Sequence, residues 1–349
     1  MRRLPIYLLV DISESMVGEN IRLLQDGLEQ LVRTLRADPY ALETAYLSVI
    51  GFAGKPKTLA PLVELIQFYP PRLPLGSGTS LGAAMTHLMN EIDREVKRTT
   101  PEVKGDWRPI VFLLTDGKPT DDIEPALKRW TKDFAHRASL VGIGVGKNAS
   151  LAALQRFTET VLSLDASTPT DFKRFIDWVS RSVSTQSRSV NMNQDTKISL
   201  AKIDDDIMRK IDDIAKATTV DEDFVIIAGK CQSTKLPYLM KYERQPQTFA
   251  TREMEISADR FNLVAVYPAE NDYYELSDER GLALTVNTDQ LMGAPGCPHC
   301  ANHFGLAMCG CGQTLCVGGP GKAVCPSCNA DLNMTSSDDE GFDVSRARG

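Results

Sequence analysis

Three short polar segments lie where apolar runs end. Asp11-Ile12-Ser13-Glu14-Ser15 follows Tyr7-Leu8-Leu9-Val10, and Thr115-Asp116-Gly117 follows Ile110-Val111-Phe112-Leu113-Leu114. Gly78-Thr79 lies between them, at the start of a helical pattern. Apolar runs of four or five residues stopped by polar residues and glycine read as buried parallel strands. In an open α/β sheet, ligands bind beyond the carboxyl ends of the strands. Two carboxylates and several hydroxyls are therefore expected at one sheet edge. Hard oxygen donors with few charges and no imidazole or thiolate suit Mg²⁺ or Mn²⁺. The competing reading is that the serines and aspartates only cap helices.

A second group is made of sulfur. Seven of the eight cysteines fall between Cys297 and Cys328. Cys297-Pro-His-Cys300 and Cys325-Pro-Ser-Cys328 are Cys-x-x-Cys turns, each able to present two thiolates to one metal, and thiolates in sets of four select tetrahedral Zn²⁺. Cys309, Cys311 and Cys316 lie between them. Seven thiolates and one imidazole would complete two four-ligand sites. Both His299 and His303 are available; His303, outside the turn, is the easier ligand. The expected zinc ligands are Cys297, Cys300, His303, Cys309, Cys311, Cys316, Cys325 and Cys328, for two zinc ions, with a single ribbon zinc as the alternative. Spacing does not decide which turn pairs with which central thiol. Four-thiolate sites are electron-rich and poor Lewis acids, so the expected role is structural: so short a module buries too little core to fold without them. Cys231 stands apart and reads as a buried apolar residue or an unreactive thiol.

At 349 residues the chain is long enough for two or three domains, and 42% apolar content is enough for real cores. The formal net charge of −7 argues against nucleic-acid binding. The stretch from Cys297 to Cys328 holds Lys322 and no arginine, which argues against a phosphate-gripping zinc ribbon. The opening Met-Arg-Arg-Leu-Pro-Ile-Tyr-Leu-Leu-Val superficially resembles a signal peptide, but its apolar run is short and ends at Asp11, so it reads as the first strand. No stretch approaches the roughly 18 apolar residues of a membrane helix. A cytoplasmic protein with no membrane or nucleic-acid partner is expected.

Strands alternate with helices over residues 1–185. Val17 to Leu35 carries apolar residues at helical spacing; Ala45–Phe52, Thr58–Leu65 and Leu140–Val145 read as strands; Thr79 to about Arg98, Ile123–Arg137 and Asp171–Val183 read as helices. Residues 186–194, in a Ser/Arg-containing stretch without apolar periodicity, read as a linker. Residues 195–292 read as a small, mostly β module, opened by a helix that carries Ile203, Ile207, Ile211 and Ile214 on one stripe. Residues 293–333 form the zinc finger, and 334–349 a polar, disordered tail.

Asp11-x-Ser13-x-Ser15, Thr79 and Asp116 resemble the metal-ion-dependent adhesion site of the von Willebrand factor A (VWA) domain, a doubly wound, Rossmann-like α/β fold. The resemblance implies that Ser13, Ser15 and Thr79 reach the metal directly, while Asp11 and Asp116 act mostly through bound waters. It also implies that the electrophilic metal seeks an acidic ligand from a partner, which is binding rather than catalysis. Together with Gly78-Thr79-Ser80-Leu81-Gly82, Thr115-Asp116-Gly117-Lys118-Pro119-Thr120-Asp121 and the carboxyl-terminal cysteine block, the chain resembles the TerY-like family of bacterial tellurium-resistance and stress-response proteins. That family implies a non-enzymatic adaptor working with a PP2C-type phosphatase and a Ser/Thr kinase in phospho-signalling. The alternatives are a metal-dependent hydrolase, a RING-like ubiquitin ligase, or a nucleic-acid-binding zinc ribbon. No nucleophile–base pair stands out for the first, and Cys309-Gly-Cys311 lacks the Cys-x-His arrangement of the second.

Overall fold

The computed structural model describes residues 2–116, 118–145, 151–164, 169–191, 208–210, 224–250, 255–278, 284–334 and 341–346. The chain divides into two compact units, residues 1–73 with 79–218, and residues 74–78 with 219–349.

In the first unit the strands are β1 (Leu4–Asp11), β2 (Ala45–Phe52), β3 (Pro56–Glu64), β4 (Ile110–Thr115), β5 (Ser139–Val145), β6 (Val161–Leu164) and β7 (Met208–Lys210). They form one sheet in the order β3-β2-β1-β4-β5-β6-β7. β2, β1, β4, β5 and β6 run parallel, and β3 and β7 are antiparallel edges. The helices are α1 (Glu19–Arg36), α2 (Pro39–Thr44), α3 (Leu81–Glu95), α4 (Glu124–Arg129), α5 (Ala152–Phe157) and α6 (Pro169–Asn191).

Every residue of β1 and β4 is buried, as expected for central strands covered on both faces. Alternation divides the core. Tyr7, Leu9, Val111 and Leu113 pack with Met85, Leu88 and Ile92 of α3 and with Trp130 and Phe134 beyond α4. Phe112, between Val111 and Leu113, meets Trp178 of α6 edge-on at 6.3 Å. The sheet is thus sandwiched, and the carboxyl ends of β1 and β4 lie side by side with Val10 opposite Leu114.

The helix expected over Ile123–Arg137 is α4 followed by a π-helical turn at Trp130–Phe134. α5 and β6 carry too few residues to show a period, and the sequence reading missed them. The expected linker is corrected: α6 continues to Asn191. Ser180 and Ser182 are buried beside Val179 and Val183, and the Ser180 hydroxyl donates to the Ile176 carbonyl at 2.8 Å. A small serine that returns its hydroxyl to its own helix can occupy an apolar face, so polar composition misled the reading. Ile203, Ile207, Ile211 and Ile214 lie outside the described residues. Met208–Lys210, among them, is strand.

The second unit has β8 (Phe224–Lys230), β9 (Pro237–Ala250), β10 (Glu255–Pro268), β11 (Leu284–Asn287), β12 (Leu291–Met292), β13 (Phe304–Met308), β14 (Thr314–Val317), β15 (Gly321–Val324), β16 (Asp331–Met334) and β17 (Asp343–Arg346). One sheet runs β12-β10-β9-β8-β14-β13. It takes strands from both the expected 195–292 module and the expected 293–333 finger. Those boundaries are corrected to a single unit, because β14 pairs in parallel with β8 at Leu315 and Lys230. The tail also gives way in part to structure: β17 pairs antiparallel with β11.

Gly229 shows why the sheet needs a glycine here. Its register partner is Tyr238, and a Cβ at Gly229 would lie 2.3 Å from the Tyr238 ring. The Tyr238 hydroxyl then donates to the Gly305 carbonyl at 2.5 Å, tying β9 to β13. No helix among the described residues is long and apolar enough to cross a membrane.

Candidate metal centres

The oxygen centre sits at the carboxyl ends of β1 and β4. Asp11 is fully buried. One of its carboxylate oxygens accepts the Ser13 backbone N–H at 2.9 Å, and the other accepts the Thr115 hydroxyl at 2.5 Å. Burial pushes its carboxyl up to about 6, against the Thr115 and Ser13 hydrogen bonds that favour the charged form. Ser13 occupies the N-cap position of the short turn Glu14–Met16 yet makes no side-chain capping bond. Its Oγ instead lies 2.9 Å from Ser15 Oγ, and Ser15 Oγ donates to Asp116 Oδ1 at 2.8 Å. The capping alternative therefore fails at Ser13, and four of the five expected residues join in one chain of hydrogen bonds.

Thr79 is brought in by the segment that follows Asp116. Its backbone N–H donates to Thr120 Oγ1 at 3.0 Å, and the Thr120 N–H donates to the Thr79 carbonyl at 2.8 Å. Asp121 then accepts the Gly82 and Ala83 N–H groups at 3.0 and 2.8 Å, satisfying two of the open donors of the α3 amino end. Thr120 and Asp121 are positioning residues that the sequence reading quoted only as part of a motif. Their signal was their place four and five residues after Asp116.

Thr79 Oγ1 is buried and has no hydrogen-bond partner among the described residues. Leaving a hydroxyl buried and unpaired costs on the order of 1–3 kcal/mol. Its backbone is held at both N–H and carbonyl while its oxygen is left open. That is what a direct ligand of a hard cation requires, so the residues fit a divalent metal.

The sulfur centres are two groups of four. Cys231, Cys297, Cys300 and Cys316 form one, and Cys309, Cys311, Cys325 and Cys328 the other, with all sulfurs of a group within 4.8 Å of one another. All eight cysteines are free thiols. Cys300–Cys316, Cys309–Cys328 and Cys311–Cys325 are 3.6, 3.7 and 3.8 Å apart. A tetrahedron with Zn–S bonds of 2.3 Å has an edge of roughly 3.8 Å. The spacing fits zinc and is far from the roughly 2.0 Å of a disulfide.

This corrects the expected ligand set. His303 is exposed and belongs to neither group, and Cys231 supplies the eighth sulfur. His299 likewise belongs to neither group, and its Nε2–H donates to the Pro237 carbonyl at 2.7 Å. The reason lies in a repeated turn. Cys231, Cys297 and Cys325 each accept at their carbonyl the N–H of the residue four later, at 3.0, 3.0 and 3.1 Å. That fourth residue, Lys235, Ala301 or Asn329, has φ near +60° in every case. Each of these cysteines also donates its N–H to the carbonyl of the residue five later, at 2.8, 2.8 and 2.9 Å. Cys231-Gln-Ser-Thr234-Lys-Leu is thus the same turn as the two Cys-x-x-Cys segments, with Thr234 in the second cysteine's place. Cys309 makes a version one residue shorter, closed by the Gly312 N–H and by Gln313.

Burial raises the Cys231 thiol, but hydrogen bonds from Thr234 and Ser233 outweigh it and bring the group down to about 6, toward the thiolate a metal needs. Alternation along β14 decides the fate of the central thiol. Cys316 faces the core of Val225, Tyr238 and Met240, while Leu315 and Val317 face the core around Cys309 and Cys325.

The von Willebrand factor type A domain model matches residues 6–181, and the TerY-C metal binding domain model matches residues 221–349. A search of curated proteins found no match. Among solved structures, proximal thread matrix protein 1 from the mussel byssus is 20% identical with a TM-score of 0.40, covering 52% of this chain and 48% of that one. Another structure of that protein, described with a zinc-occupied MIDAS motif, is 20% identical with a TM-score of 0.39, covering 52% of this chain and 48% of that one. BatB from Bacteroides thetaiotaomicron is 16% identical with a TM-score of 0.37, covering 52% of this chain and 99% of that one. The chain spans about half the length of the byssus protein. With buried strands ending in an oxygen centre and a second unit built around paired thiol groups, the chain belongs to the von Willebrand factor type A domain family and carries a TerY-C metal-binding domain behind it.

Proposed function

We propose that this protein is a non-enzymatic adaptor that docks partners through the oxygen centre in a metal-dependent way. The observation that carries the reading is Thr79 Oγ1, buried without a hydrogen-bond partner among the described residues on a backbone fixed by Thr120. Ser13, Ser15 and Thr79 would hold Mg²⁺ or Mn²⁺ directly, with Asp11 and Asp116 acting through water. Both oxygens of Asp11 are already engaged by the protein, which supports the indirect role. A metal held largely by neutral hydroxyls keeps its charge and supplies a coordination position for an acidic or phosphorylated ligand. The thiol groups are structural Zn²⁺ sites, two per chain. Family likeness favours a PP2C-type phosphatase and a Ser/Thr kinase as the partners, in a cytoplasmic stress-response phospho-signalling system. Two modules on one chain would raise the partners' effective concentration.

The test is to weigh the assembly formed by the full chain with the phosphatase and the kinase, with and without EDTA. Asp11→Ala with Ser13→Ala should abolish association while the fold persists. A complex that survives both EDTA and the double substitution at full affinity removes the oxygen centre as the docking point. Phosphoester hydrolysis by the isolated chain, lost in Asp116→Ala, would replace the adaptor with an enzyme.

A further inference from the structure

The two thiol groups differ in access. Cys231, Cys297 and Cys316 of the first are buried, and Cys300 is partly so. In the second, Cys309 and Cys325 are buried but Cys311 and Cys328 are exposed. Open space surrounds the Cys311 loop: a Cβ added at Gly310 or Gly312, on either side of Cys311, would meet nothing within 4 Å. The first group lies in the core with Val225, Tyr238 and Met240, whereas only Cys309 and Cys325 of the second join a smaller core with Leu315, Val317 and Ala323.

We propose that the Cys309, Cys311, Cys325 and Cys328 group is an oxidative modification site for hydroperoxides, which releases its zinc while the first group keeps its own. The inference rests on the zinc reading above. Thiolate sulfur is the nucleophile, and access governs which thiolate reacts. The exposed Cys311 or Cys328 sulfur attacks a peroxide oxygen. An S–O bond forms, the O–O bond breaks, and the departing oxygen takes a proton from solvent. A second thiolate of the group attacks the resulting sulfenic sulfur. An S–S bond forms, the S–O bond breaks, and hydroxide leaves to be protonated to water. Two thiolates are oxidised by two electrons, and the hydroperoxide is reduced to water and, for an organic hydroperoxide, its alcohol. Cys325 lies 3.8 Å from Cys311 and Cys309 lies 3.7 Å from Cys328, so either pair closes by a small shift to the roughly 2.0 Å of a disulfide. Halving the thiolate set then removes the tetrahedral site.

Full-length, zinc-loaded protein is first assayed for metal. It is then titrated with hydrogen peroxide, with a chromogenic chelator reporting zinc and pulse alkylation with peptide mass mapping reporting each thiol. The expected result is biphasic release, the first equivalent at least about tenfold faster than the second. Loss of alkylatable thiol in the fast phase falls on Cys309, Cys311, Cys325 and Cys328, and is reversed by dithiol and added zinc. Equal oxidation of both groups, earlier loss of the first group, or no loss at peroxide concentrations that oxidise free cysteine would each overturn the proposal. Less than one zinc per chain at the outset would count against the zinc assignment instead, while the alkylation arm still decides whether the second group is the reactive one.

Discussion

The oxygen centre and the thiol groups solve the same problem, placing ligands for a metal, in opposite ways. The oxygen centre lies at the ends of strands whose own packing is complete: β1 and β4 are buried throughout, and the ligands emerge where the sheet stops. The thiol groups are part of the packing. Cys231, Cys297 and Cys316 are members of the same apolar core as Val225, Tyr238 and Met240. One region folds and then offers a site; the other assembles its core around the site. Metal removal should therefore silence the first and unfold the second.

The largest expected effect comes from the ligand that spacing did not reveal. Cys231→Ser should lower the zinc content from two per chain to one and destabilise the second unit by several kcal/mol, since structural zinc in small domains contributes roughly 10–16 kcal/mol of apparent binding free energy. His303→Ala should leave zinc content and melting unchanged. Elemental analysis with thermal unfolding checks both. If His303→Ala loses zinc and Cys231→Ser does not, the assignment is reversed.

Next comes the charge on Asp11. In the metal-free protein its folded pKa, about 6, lies above the unfolded value near 3.9. The native state then binds the extra proton between those values. Stability of the first unit should rise as pH falls from about 6 to about 4, by up to about 3 kcal/mol from this group. Bound metal favours the charged carboxylate, so saturating Mg²⁺ should flatten that slope. Asp11→Asn should be more stable than wild type at pH 7 without metal and should no longer gain from Mg²⁺. Denaturant unfolding at several pH values, with and without metal, checks this. An unchanged metal-free slope in Asp11→Asn would show that another group carries it.

The smallest effect separates ligand from scaffold most cleanly. Thr79→Val keeps the shape and removes an oxygen that has no partner among the described residues. Metal affinity should fall about tenfold, roughly 1.4 kcal/mol, while metal-free stability stays level or rises by about 1 kcal/mol. Calorimetric titration with Mn²⁺ and a thermal melt give the two readings. A destabilised metal-free variant would mean that Thr79 Oγ1 serves the fold.

Much of the first unit was legible because its strands are short apolar runs closed by Asp11 and Asp116. Strand ends alone put those two residues at one sheet edge, and the Ser15–Asp116 contact joins them through the serine loop. Thr120 and Asp121 were not legible as positioning residues, because backbone hydrogen bonds to Thr79, Gly82 and Ala83 leave no residue-type signature beyond those of ordinary turn and cap formers. The helix through Ser180 and Ser182 was hidden for a related reason: composition counts serine as polar, while α6 buries both.

The sequence by itself determined the chemistry: hard oxygens after β1, before α3 and after β4, and thiolates in numbers that make tetrahedral sites. Residue type sets ligand softness and strand ends set location, and both are local properties. Only the tertiary structure decided which sulfurs share a metal. The partners Cys231 and Cys316 are far apart in sequence, and they meet because β8 and β14 pair in parallel while alternation along β14 turns Cys316 toward one core and Leu315 and Val317 toward the other. Pairing and register are long-range choices made by burial, so spacing within the cysteine block could not fix them.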